Sequence, residues 1–410
     1  MSVIHVCYSV SKQTAAYRLH KGILNNNYKS RILLSKGSPI VVDLGAPRSV
    51  VDIFRSYFDL ALEIVTKKIL LSPCGVYFSL NLGGLFLRSR AAKILRKRSQ
   101  DIKHYHWVGN GMLPLKDLFQ ENSQYVITLH DTWFFTGGCH VIGACEGYKS
   151  GCNDCPLFLT KLQKKIIRLD FAIKKKNVEK MMPVVVVPSL WMYRKAKESS
   201  MLTASKINVI PNGIETSVFK PLCKETAKQI FNINNNRKVI LFGGISPTSD
   251  VNKGWDILLA CLEKISAGNT EINLLVVGVE RFPELKMKGI NIISLGFLAD
   301  EQSLVCAYNA ADLTVVSSRQ ESFSQMAMES ISCGVPVVAF SGSGPDDIID
   351  HKINGYLACP YDESDFYCGI KWVLNNENYE AISRSAREKA IRDFSITKIA
   401  QRHVELYKSL

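Results

Sequence analysis

The stretch Glu321-Ser-Phe-Ser-Gln-Met-Ala-Met-Glu329 is followed by Ser-Ile-Ser-Cys-Gly-Val-Pro-Val-Val at residues 330–338. Its apolar spacing predicts a helix over Ser324–Ser332, and Gly-Val-Pro predicts a turn into the next strand. One carboxylate therefore precedes the helix and another lies two turns along it. A helix start offers unbonded backbone N–H groups and the positive end of a dipole, which suits a diphosphate near residues 322–324. A strand–loop–helix without a ligand is the plain alternative.

Outside this motif, the second half of the chain alternates strand and helix patterns. The predicted strands are Lys238–Phe242, Asn273–Gly278, Ile290–Leu295, Leu313–Ser317 and Pro336–Phe340. The predicted helices are Trp255–Ile265, Glu301–Ala310, Ser324–Ser332, Asp365–Leu374 and Tyr379–Phe394. The first half repeats the alternation, with strands at Val3–Tyr8, Arg31–Leu34, Ile102–Trp107, Tyr125–His130 and Val184–Pro188 and helices at Thr14–Asn25 and Leu85–Arg98. This alternation predicts parallel sheets covered by helices, with ligands beyond the carboxyl ends of the strands.

A length of 410 residues exceeds what one hydrophobic core usually supports, so two domains are expected. The segment Ile210–Ile214 contains Pro211 and an Asn-Gly pair, which predict the linker between the two halves.

The net charge of +14 is distributed unevenly. Up to Asn212 there are 31 Lys and Arg against 13 Asp and Glu, a net charge of +18, and the remainder carries −4. The excess concentrates in Arg88–Lys103 and Lys161–Lys180, with apolar residues at helical spacing between the charges. A solvated helix face is one explanation, and attraction to anionic lipid headgroups or an anionic acceptor is another. Nucleic acid is not an expected partner, because no nucleic-acid-binding motif accompanies these stretches.

The uncharged stretch Ile69–Leu87 has the length of a membrane span, but it contains Pro73, Asn81 and three glycines, which suit strands and loops better. The N-terminus has no basic region before its apolar run and predicts a first strand rather than a signal peptide. With no export signal, the twelve cysteines are expected to be mainly reduced thiols in the cytosol.

Several motifs, in order along the chain, resemble those of family 4 glycosyltransferases of the GT-B fold. Glu321–Glu329 resembles the family's E-x7-E motif, Lys253-Gly254 its K-G motif, and Gly296-Phe297 the loop that holds the nucleobase. The remaining matching segments are the linker Ile210–Ile214 with Phe219–Pro221 and the late turn Asn354–Tyr356. The resemblance covers nearly the whole chain.

The resemblance implies an α/β fold in which two Rossmann-like domains face each other across a cleft. Residues 1–212 would form the N-terminal acceptor-binding domain, and residues 213–394 the C-terminal nucleotide-sugar-binding domain. Residues 395–410 would form a helix that packs back on the N-terminal domain.

The resemblance also implies roles for single residues. Lys253, a compact positive charge, would hold the donor diphosphate, Glu321 would contact the donor sugar near the reacting carbon, and His130 would contact that sugar from the first domain. These three are the predicted catalytic residues. The other predicted donor-binding residues are Glu329 for the ribose, Gly296 and Phe297 for the base, and Ser322, Phe323, Ser324, Arg319 and Lys12. The predicted acceptor-binding residues are His106, for its polar edge, and Trp107, for its flat apolar face, although either histidine can instead be structural.

Two departures from the family pattern concern the phosphate contacts. Many family members have an Arg shortly before the K-G lysine, and none lies between Phe242 and Lys253 here. Arg319 is a possible substitute. The family's N-terminal loop commonly has paired glycines, which Val10–Thr14 lacks, and Lys12 can supply charge in their place.

Four cysteines, Cys139, Cys145, Cys152 and Cys155, lie within seventeen residues and end in a C-x2-C pair. This spacing suits a structural Zn²⁺, with disulfides or unbonded thiols as the alternatives. A subset of family 4 enzymes shares such an insert, here residues 137–156. No metal is expected in catalysis, since GT-B enzymes generally transfer without one.

The implied function is a retaining glycosyltransferase that moves a hexose from a UDP- or GDP-sugar to a hydroxyl of a glycan acceptor. The acceptor is expected to be lipid-linked, in bacterial surface polysaccharide synthesis (O-antigen, capsule or exopolysaccharide). The expected location is the cytoplasm, peripherally at the inner face of the cytoplasmic membrane. Two rivals are a nucleotide-sugar epimerase and a non-catalytic nucleotide-sugar-binding protein. The E-x7-E and linker motifs count against the first, and the retained Lys253 and His130 against the second.

Overall fold

The computed structural model describes residues 2–8, 11, 13–34, 90–109, 112–119, 123–233, 236–268, 270–280 and 287–410. It divides into two compact units, Met1–Pro211 with Ala400–Leu410, and Asn212–Ile399. The stretch Ile69–Leu87 and the predicted donor contact Lys12 lie outside the described residues. Within the part of the chain that is described, no helix combines the length and apolar character needed to cross a bilayer.

The first unit contains a parallel sheet of six strands in the order β2-β1-β3-β4-β5-β6. The strands are β1 Val3–Cys7, β2 Ser30–Leu34, β3 Ile102–Tyr105, β4 Tyr125–Thr128, β5 Val184–Val187 and β6 Ile207–Val209. Its described helices are α1 Ala15–Asn25, α2 Arg90–Arg96, α3 Lys161–Met181 and α4 Leu190–Glu198, together with most of the last helix, α11 Ile396–Lys408.

The second unit contains another six-stranded parallel sheet, in the order β12-β11-β10-β7-β8-β9. The strands are β7 Lys238–Gly243, β8 Ile272–Val277, β9 Ile290–Ser294, β10 Leu313–Val316, β11 Val337–Phe340 and β12 Gly355–Ala358. The described helices are α5 Lys224–Ile230, α6 Trp255–Ala267, α7 Glu301–Ala310, α8 Gln325–Ser332, α9 Glu363–Leu374 and α10 Tyr379–Asp393.

The central strands are largely apolar because helices cover both faces of each sheet, although β1 and β3 also carry the buried polar residues His5, Lys103 and His104. β5 consists of four valines, and β10 and β11 are buried at every position. The second unit accordingly has a separate hydrophobic cluster on each face of its sheet. Burying a branched side chain contributes roughly 1.5–3 kcal/mol, so these strands carry much of the stability of each unit.

Each sheet reverses its strand order at one place. In the first unit β1 lies between β2 and β3, and in the second β7 lies between β10 and β8. The connections that leave the carboxyl ends of neighbouring strands diverge there to opposite faces, which leaves a crevice where ligands of such sheets bind.

The prediction of an α/β fold built on parallel sheets is confirmed. Each predicted strand is present, with ends that differ by one or two residues. β4, for example, ends at Thr128 rather than at His130, and the chain then turns at Asp131, whose carboxylate accepts the N–H of Trp133 at 2.8 Å. Two strands, β6 and β12, were not predicted, and neither were helices α4 and α5.

Candidate active site

The reversal of strand order in the second unit places two loops next to each other. Lys253 lies in the loop after β7, and Glu321 lies in the loop after β10, the neighbouring strand. Nζ of Lys253 and Oε1 of Glu321 are 2.8 Å apart, and the side chains are 25% and 18% exposed. The structure therefore brings two predicted catalytic residues into one ion pair, at the sheet edge where a ligand is expected.

A single helical turn, Val251–Lys253, presents the lysine. Ser317 donates a hydrogen bond from Oγ to the carbonyl of Lys253 at 2.9 Å. Gly254 follows with φ +64°, and a Cβ there would lie 2.0 Å from the carbonyl oxygen of Ser317. Only glycine fits this approach of two backbones, which is the physical reason for the K-G pair.

Asn252 links the two loops. Its Nδ2 donates to the carbonyl of Gln320 at 2.9 Å, and its Oδ1 accepts the N–H of Gln320 at 3.1 Å. The carbonyl of Asn252 also accepts the N–H of Arg319 at 2.7 Å. These bonds hold the backbone before Glu321 against the loop that carries Lys253. Sequence analysis missed Asn252, whose only signal was its place beside the K-G motif.

The loop from Glu321 to Ser324 is tightly held. The carbonyl of Glu321 accepts the N–H of Gly344 at 2.8 Å, and a Cβ on Gly344 would lie 2.4 Å from the nitrogen of Phe323. Phe323 is 1% exposed, so it can offer a ligand only its backbone. Ser324 has φ +93° and caps α8 with its hydroxyl, while Ser322 is half-buried. The backbone at the start of α8 is thus held in place for an anion.

Glu329, the second acid of the motif, lies inside α8 and is 5% exposed. Its carboxylate accepts a hydrogen bond from the hydroxyl of Tyr308 at 2.9 Å. Tyr308 lies on α7 and was not predicted. The bond orients the carboxylate, and ribose binding by Glu329 stays a prediction.

Arg319 has partners of its own in the second unit. Its guanidinium contacts both carboxylate oxygens of Asp256, at 3.1 and 2.5 Å, and also the carbonyl of Val251. Hydrogen bonding to Arg319 lowers the pKa of Asp256. Arg319 therefore joins the start of α6 to the loop before Glu321, and its contact with phosphate stays a prediction.

Three glycines lie at the carboxyl ends of β7, β8 and β9. Gly244, Gly278 and Gly296 all have positive φ, and a Cβ on Gly278 would lie 1.8 Å from the carbonyl oxygen of Gly244. The N–H of Gly278 donates to the carbonyl of Gly296 at 2.7 Å, and the next residue, Phe297, is 67% exposed. Backbone and one exposed aromatic ring are therefore available at the loop predicted to hold the base.

In the first unit, His130 follows β4 and His106 follows β3, the neighbouring strand. Nε2 of His130 lies 2.8 Å from Nδ1 of His106, which is only 8% exposed. Burial lowers the pKa of His130 to about 4, so the ring is neutral near pH 7. Trp107 is half-buried, with its ring edge-on to Tyr8. Acceptor binding by His106 and Trp107 stays a prediction.

The four cysteines of the insert carry no disulfide. Three of the sulfurs accept backbone N–H bonds: Cys152 from Gly137 at 3.3 Å, Cys145 from Gly147 at 3.4 Å, and Cys155 from Leu157. Burial raises the pKa of Cys152 to about 11. Four thiols suit Zn²⁺ in ligand type, but among the described residues no three of these sulfurs lie within 4.8 Å of one another. Zinc binding stays a prediction.

The comparison with protein families bears on the second unit. Residues 237–376 match the family model described as glycosyl transferases group 1. The chain is 34% identical over 164 residues to a D-inositol 3-phosphate glycosyltransferase of Segniliparus rotundus, covering 37% of this chain and 35% of that protein. It is 27% identical over 242 residues to the lipopolysaccharide 1,2-N-acetylglucosaminetransferase of Salmonella typhimurium, covering 55% and 62%. Residues 237–376 are thus similar to group 1 glycosyltransferases, and the chain matches about a third to two thirds of these relatives' length.

A solved structure extends the likeness in fold to the whole chain. The Anabaena protein HepE, crystallised with UDP-glucose, is 16% identical, covers 100% of both chains and has a TM-score of 0.63. At this identity the match shows the fold alone, and it agrees with the predicted GT-B architecture.

Proposed function

We propose that the chain is a retaining glycosyltransferase that transfers a hexose from a UDP- or GDP-sugar to a hydroxyl of a glycan acceptor. The observation that carries the proposal is the Lys253–Glu321 ion pair at the strand reversal, in a unit whose residues 237–376 match the group 1 family. An ion pair by itself is common on protein surfaces, but this one lies beside the fixed N-terminus of α8 and beside Gly244, where a Cβ would lie 3.6 Å from Cε of Lys253.

Donor binding would exchange partners within this pair. The ammonium of Lys253 would turn to the donor diphosphate, which carries more negative charge than a carboxylate. Glu321 would then accept hydrogen bonds from hydroxyls of the sugar. Both side chains are partly exposed, so the exchange costs little desolvation. Lys253 and Glu321 would thus pair with each other in the unliganded state and contact the donor in the liganded state.

The nucleoside part of the donor would occupy the other contacts of this unit. Glu329, oriented by Tyr308, would bind the ribose hydroxyls, and the backbone at Gly296 with the ring of Phe297 would meet the base. The solved relative crystallised with UDP-glucose supports a nucleotide sugar as the ligand class.

The transfer step would break the bond from C1 of the sugar to the diphosphate and form a bond from C1 to the acceptor oxygen. The acceptor proton would go to a phosphate oxygen of the leaving nucleotide, on the same face of the sugar, which preserves the configuration. The protein contributes position and charge: Lys253 stabilises the diphosphate as its negative charge grows. This step needs no metal.

The acceptor is proposed to be lipid-linked, in the synthesis of a surface polysaccharide at the inner face of the cytoplasmic membrane. The Salmonella relative, named as a lipopolysaccharide transferase, supports this class of product. Helix α3 supports a membrane contact, because its exposed positions interleave cationic and apolar residues: Lys161, Leu162, Lys165, Arg168, Leu169, Ala172 and Lys176.

Incubation with a panel of UDP- and GDP-hexoses tests the proposal, with and without lipid-linked oligosaccharides. We expect one donor to release its nucleoside diphosphate and its sugar to appear on the acceptor in the configuration that it had in the donor. Conversion of a nucleotide sugar to its epimer without transfer would instead establish the epimerase. Tight binding of a nucleotide sugar that is never consumed would establish the non-catalytic alternative.

A further inference from the structure

Six of the eight histidines of the chain lie close together in the first unit. They come from α1, β1, β3, the residues just after β3 and β4, and α11: His20, His5, His104, His106, His130 and His403. The sheet brings them together, since His5 is the register partner of His104, and His106 lies two residues further along the same face. A buried group of this size has a cost in polar desolvation and calls for an explanation.

Three of these rings form a hydrogen-bonded row across the sheet. Nδ1 of His5 lies 2.9 Å from Nε2 of His106, and Nδ1 of His106 lies 2.8 Å from Nε2 of His130. His5 is fully buried and His106 nearly so. Burial lowers the pKa of each of the three rings, so each is neutral near pH 7 and carries one ring proton.

The far end of the row decides where these protons lie. Within the described residues, Nε2 of His5 is buried without a hydrogen-bond partner. A buried N–H without an acceptor is rarer than a buried acceptor without a donor, so the proton of His5 belongs on Nδ1. It then donates to Nε2 of His106, and the proton of His106 must lie on Nδ1 and donate to Nε2 of His130. The proton of His130 is left on its own Nδ1.

We infer that His106 and His5 are positioning residues that hold His130 in its Nδ1–H tautomer. The inference rests on the proposed function and on the role that the family resemblance implies for His130, which is contact with the donor sugar. There, a neutral ring with a fixed N–H would donate a hydrogen bond in one direction, whereas a ring that exchanges tautomers would donate only part of the time. The row therefore assigns His106 a role in directing His130.

A metal ion is the competing explanation, because one ring nitrogen from each of His5, His104 and His106 lies within 4.8 Å of the others. The geometry counts against it. The rings of His104 and His106 are stacked, with centroids 4.3 Å apart, so their in-plane lone pairs do not converge. Both nitrogens of His104 are also engaged, by Tyr407 at 2.6 Å and Thr128 at 2.7 Å.

Ring-¹⁵N-labelled histidine in the full chain gives a direct test, since ¹⁵N shifts distinguish the two neutral tautomers. The His130 signals are identified by their loss in His130→Asn. We expect His130 to be in the Nδ1–H form near neutral pH, and His106→Leu to give averaged signals from two exchanging tautomers. His106→Asn, which keeps an N–H donor near the Nδ1 position, should restore the single form.

His104→Leu is the matched control, because His104 is buried next to the row and stacks on His106, while its two ring nitrogens bond Thr128 and Tyr407. It should leave the tautomer of His130 unchanged. Should His106→Leu fail to fold, His5→Leu tests the same row. We expect His106→Leu to lower transfer about tenfold, the effect of one hydrogen bond, with recovery in His106→Asn.

An Nε2–H tautomer in the wild type, an unchanged tautomer in His106→Leu, or a bound metal ion that is lost in His5→Leu would overturn the inference. Absence of transferase activity with the expected tautomers would remove the proposed function and leave the row intact. Transferase activity together with an Nε2–H tautomer of His130 would leave the proposed function intact and remove the role assigned to the row.

Discussion

Lys253 and Glu321 meet because two backbones approach closely at Gly254 and because Asn252 fixes the loop before Glu321. Neither side chain needs burial to reach the other, and an ion pair that is about a fifth exposed contributes at most about 1 kcal/mol to folding. The pair therefore adds little to stability, and under the proposed function its main role is to contact the donor.

We expect Lys253→Ala and Glu321→Ala each to lower kcat/KM by about 10²-fold or more, because each removes a contact to the reacting donor. The double variant should lose less than the product of the two single effects, because the residues act on one ligand. Steady-state kinetics measures kcat/KM. Thermal unfolding checks that the unfolding midpoint stays nearly unchanged.

Lys264→Ala is the matched control for these variants. Lys264 forms an exposed ion pair with Glu363 in the same unit at 2.6 Å, away from the strand reversal. Its loss should leave kinetics unchanged. Activity near the wild-type value in both Lys253→Ala and Glu321→Ala would remove these residues from the site.

At the scale of elements, the insert 137–156 follows β4 and has no regular helix or strand of its own beyond one short turn, Gly147–Lys149. Cys152 has φ +53°, and glycines with positive φ stand at Gly138, Gly143 and Gly151. Backbone N–H groups that bond three sulfurs favour the thiolate, which is the form that binds zinc, but burial outweighs them and raises the pKa of Cys152 and Cys155. Gathering four sulfurs about 2.3 Å from one ion would require the insert to close further.

We expect about one zinc per chain in protein purified under reducing conditions, lost when Cys152 and Cys155 are both changed to Ser. Removal of the metal should weaken use of the acceptor before binding of the donor, because the donor contacts lie in the other unit. Elemental analysis and donor titration measure the two effects. The control is the double variant Cys261→Ser/Cys333→Ser, which changes two buried cysteines of the second unit and should keep its zinc.

The opposite result for the insert is also well defined. Protein without zinc, in which all four thiols of the insert react with a thiol reagent, would show that hydrogen bonds and packing alone order this segment.

At the scale of the whole molecule, charge separates along the chain, with +18 up to Asn212 and −4 after it. Fields of this kind attract anionic surfaces from a distance, and salt screens them over about 8 Å at physiological ionic strength. The exposed stripe of α3 adds apolar side chains, with Leu162 59% and Leu169 51% exposed, that can enter the headgroup region.

We expect the protein to bind anionic liposomes at low salt and to leave them at high salt. Lys165→Glu/Arg168→Glu/Lys176→Glu should lower this binding by more than tenfold, because each cation contributes about 1 kcal/mol near an anionic surface. Co-sedimentation with vesicles measures the effect. The same charge change at three exposed positions of the second unit, Lys288→Glu/Lys371→Glu/Arg384→Glu, is the control. Equal binding to neutral and anionic vesicles would contradict an electrostatic contact.

The sequence by itself determined the strands and most helices, because parallel strands covered on both faces must be apolar along their length and amphipathic helices must repeat near every 3.6 residues. It missed β6, which is only three residues long, and β12, Gly-Tyr-Leu-Ala, which has no β-branched residue and begins within the segment Asn354–Tyr356 that was interpreted as a turn. The motif around Glu321 and the K-G pair were also visible, because they combine residue types that local backbone geometry requires.

Only the tertiary structure decided which distant residues meet. Lys253 and Glu321 are 68 positions apart, and His5 and His106 are 101 apart. Their contacts follow from the strand order, which places β10 beside β7 and β3 beside β1. Periodicity predicts that a segment is a strand, but it does not predict which strands lie beside it in the sheet, because many strand orders bury the same apolar faces equally well. The orders seen here emerge only when all strands and connecting helices pack at once, and that packing places the side chains at the carboxyl edges within hydrogen-bonding distance.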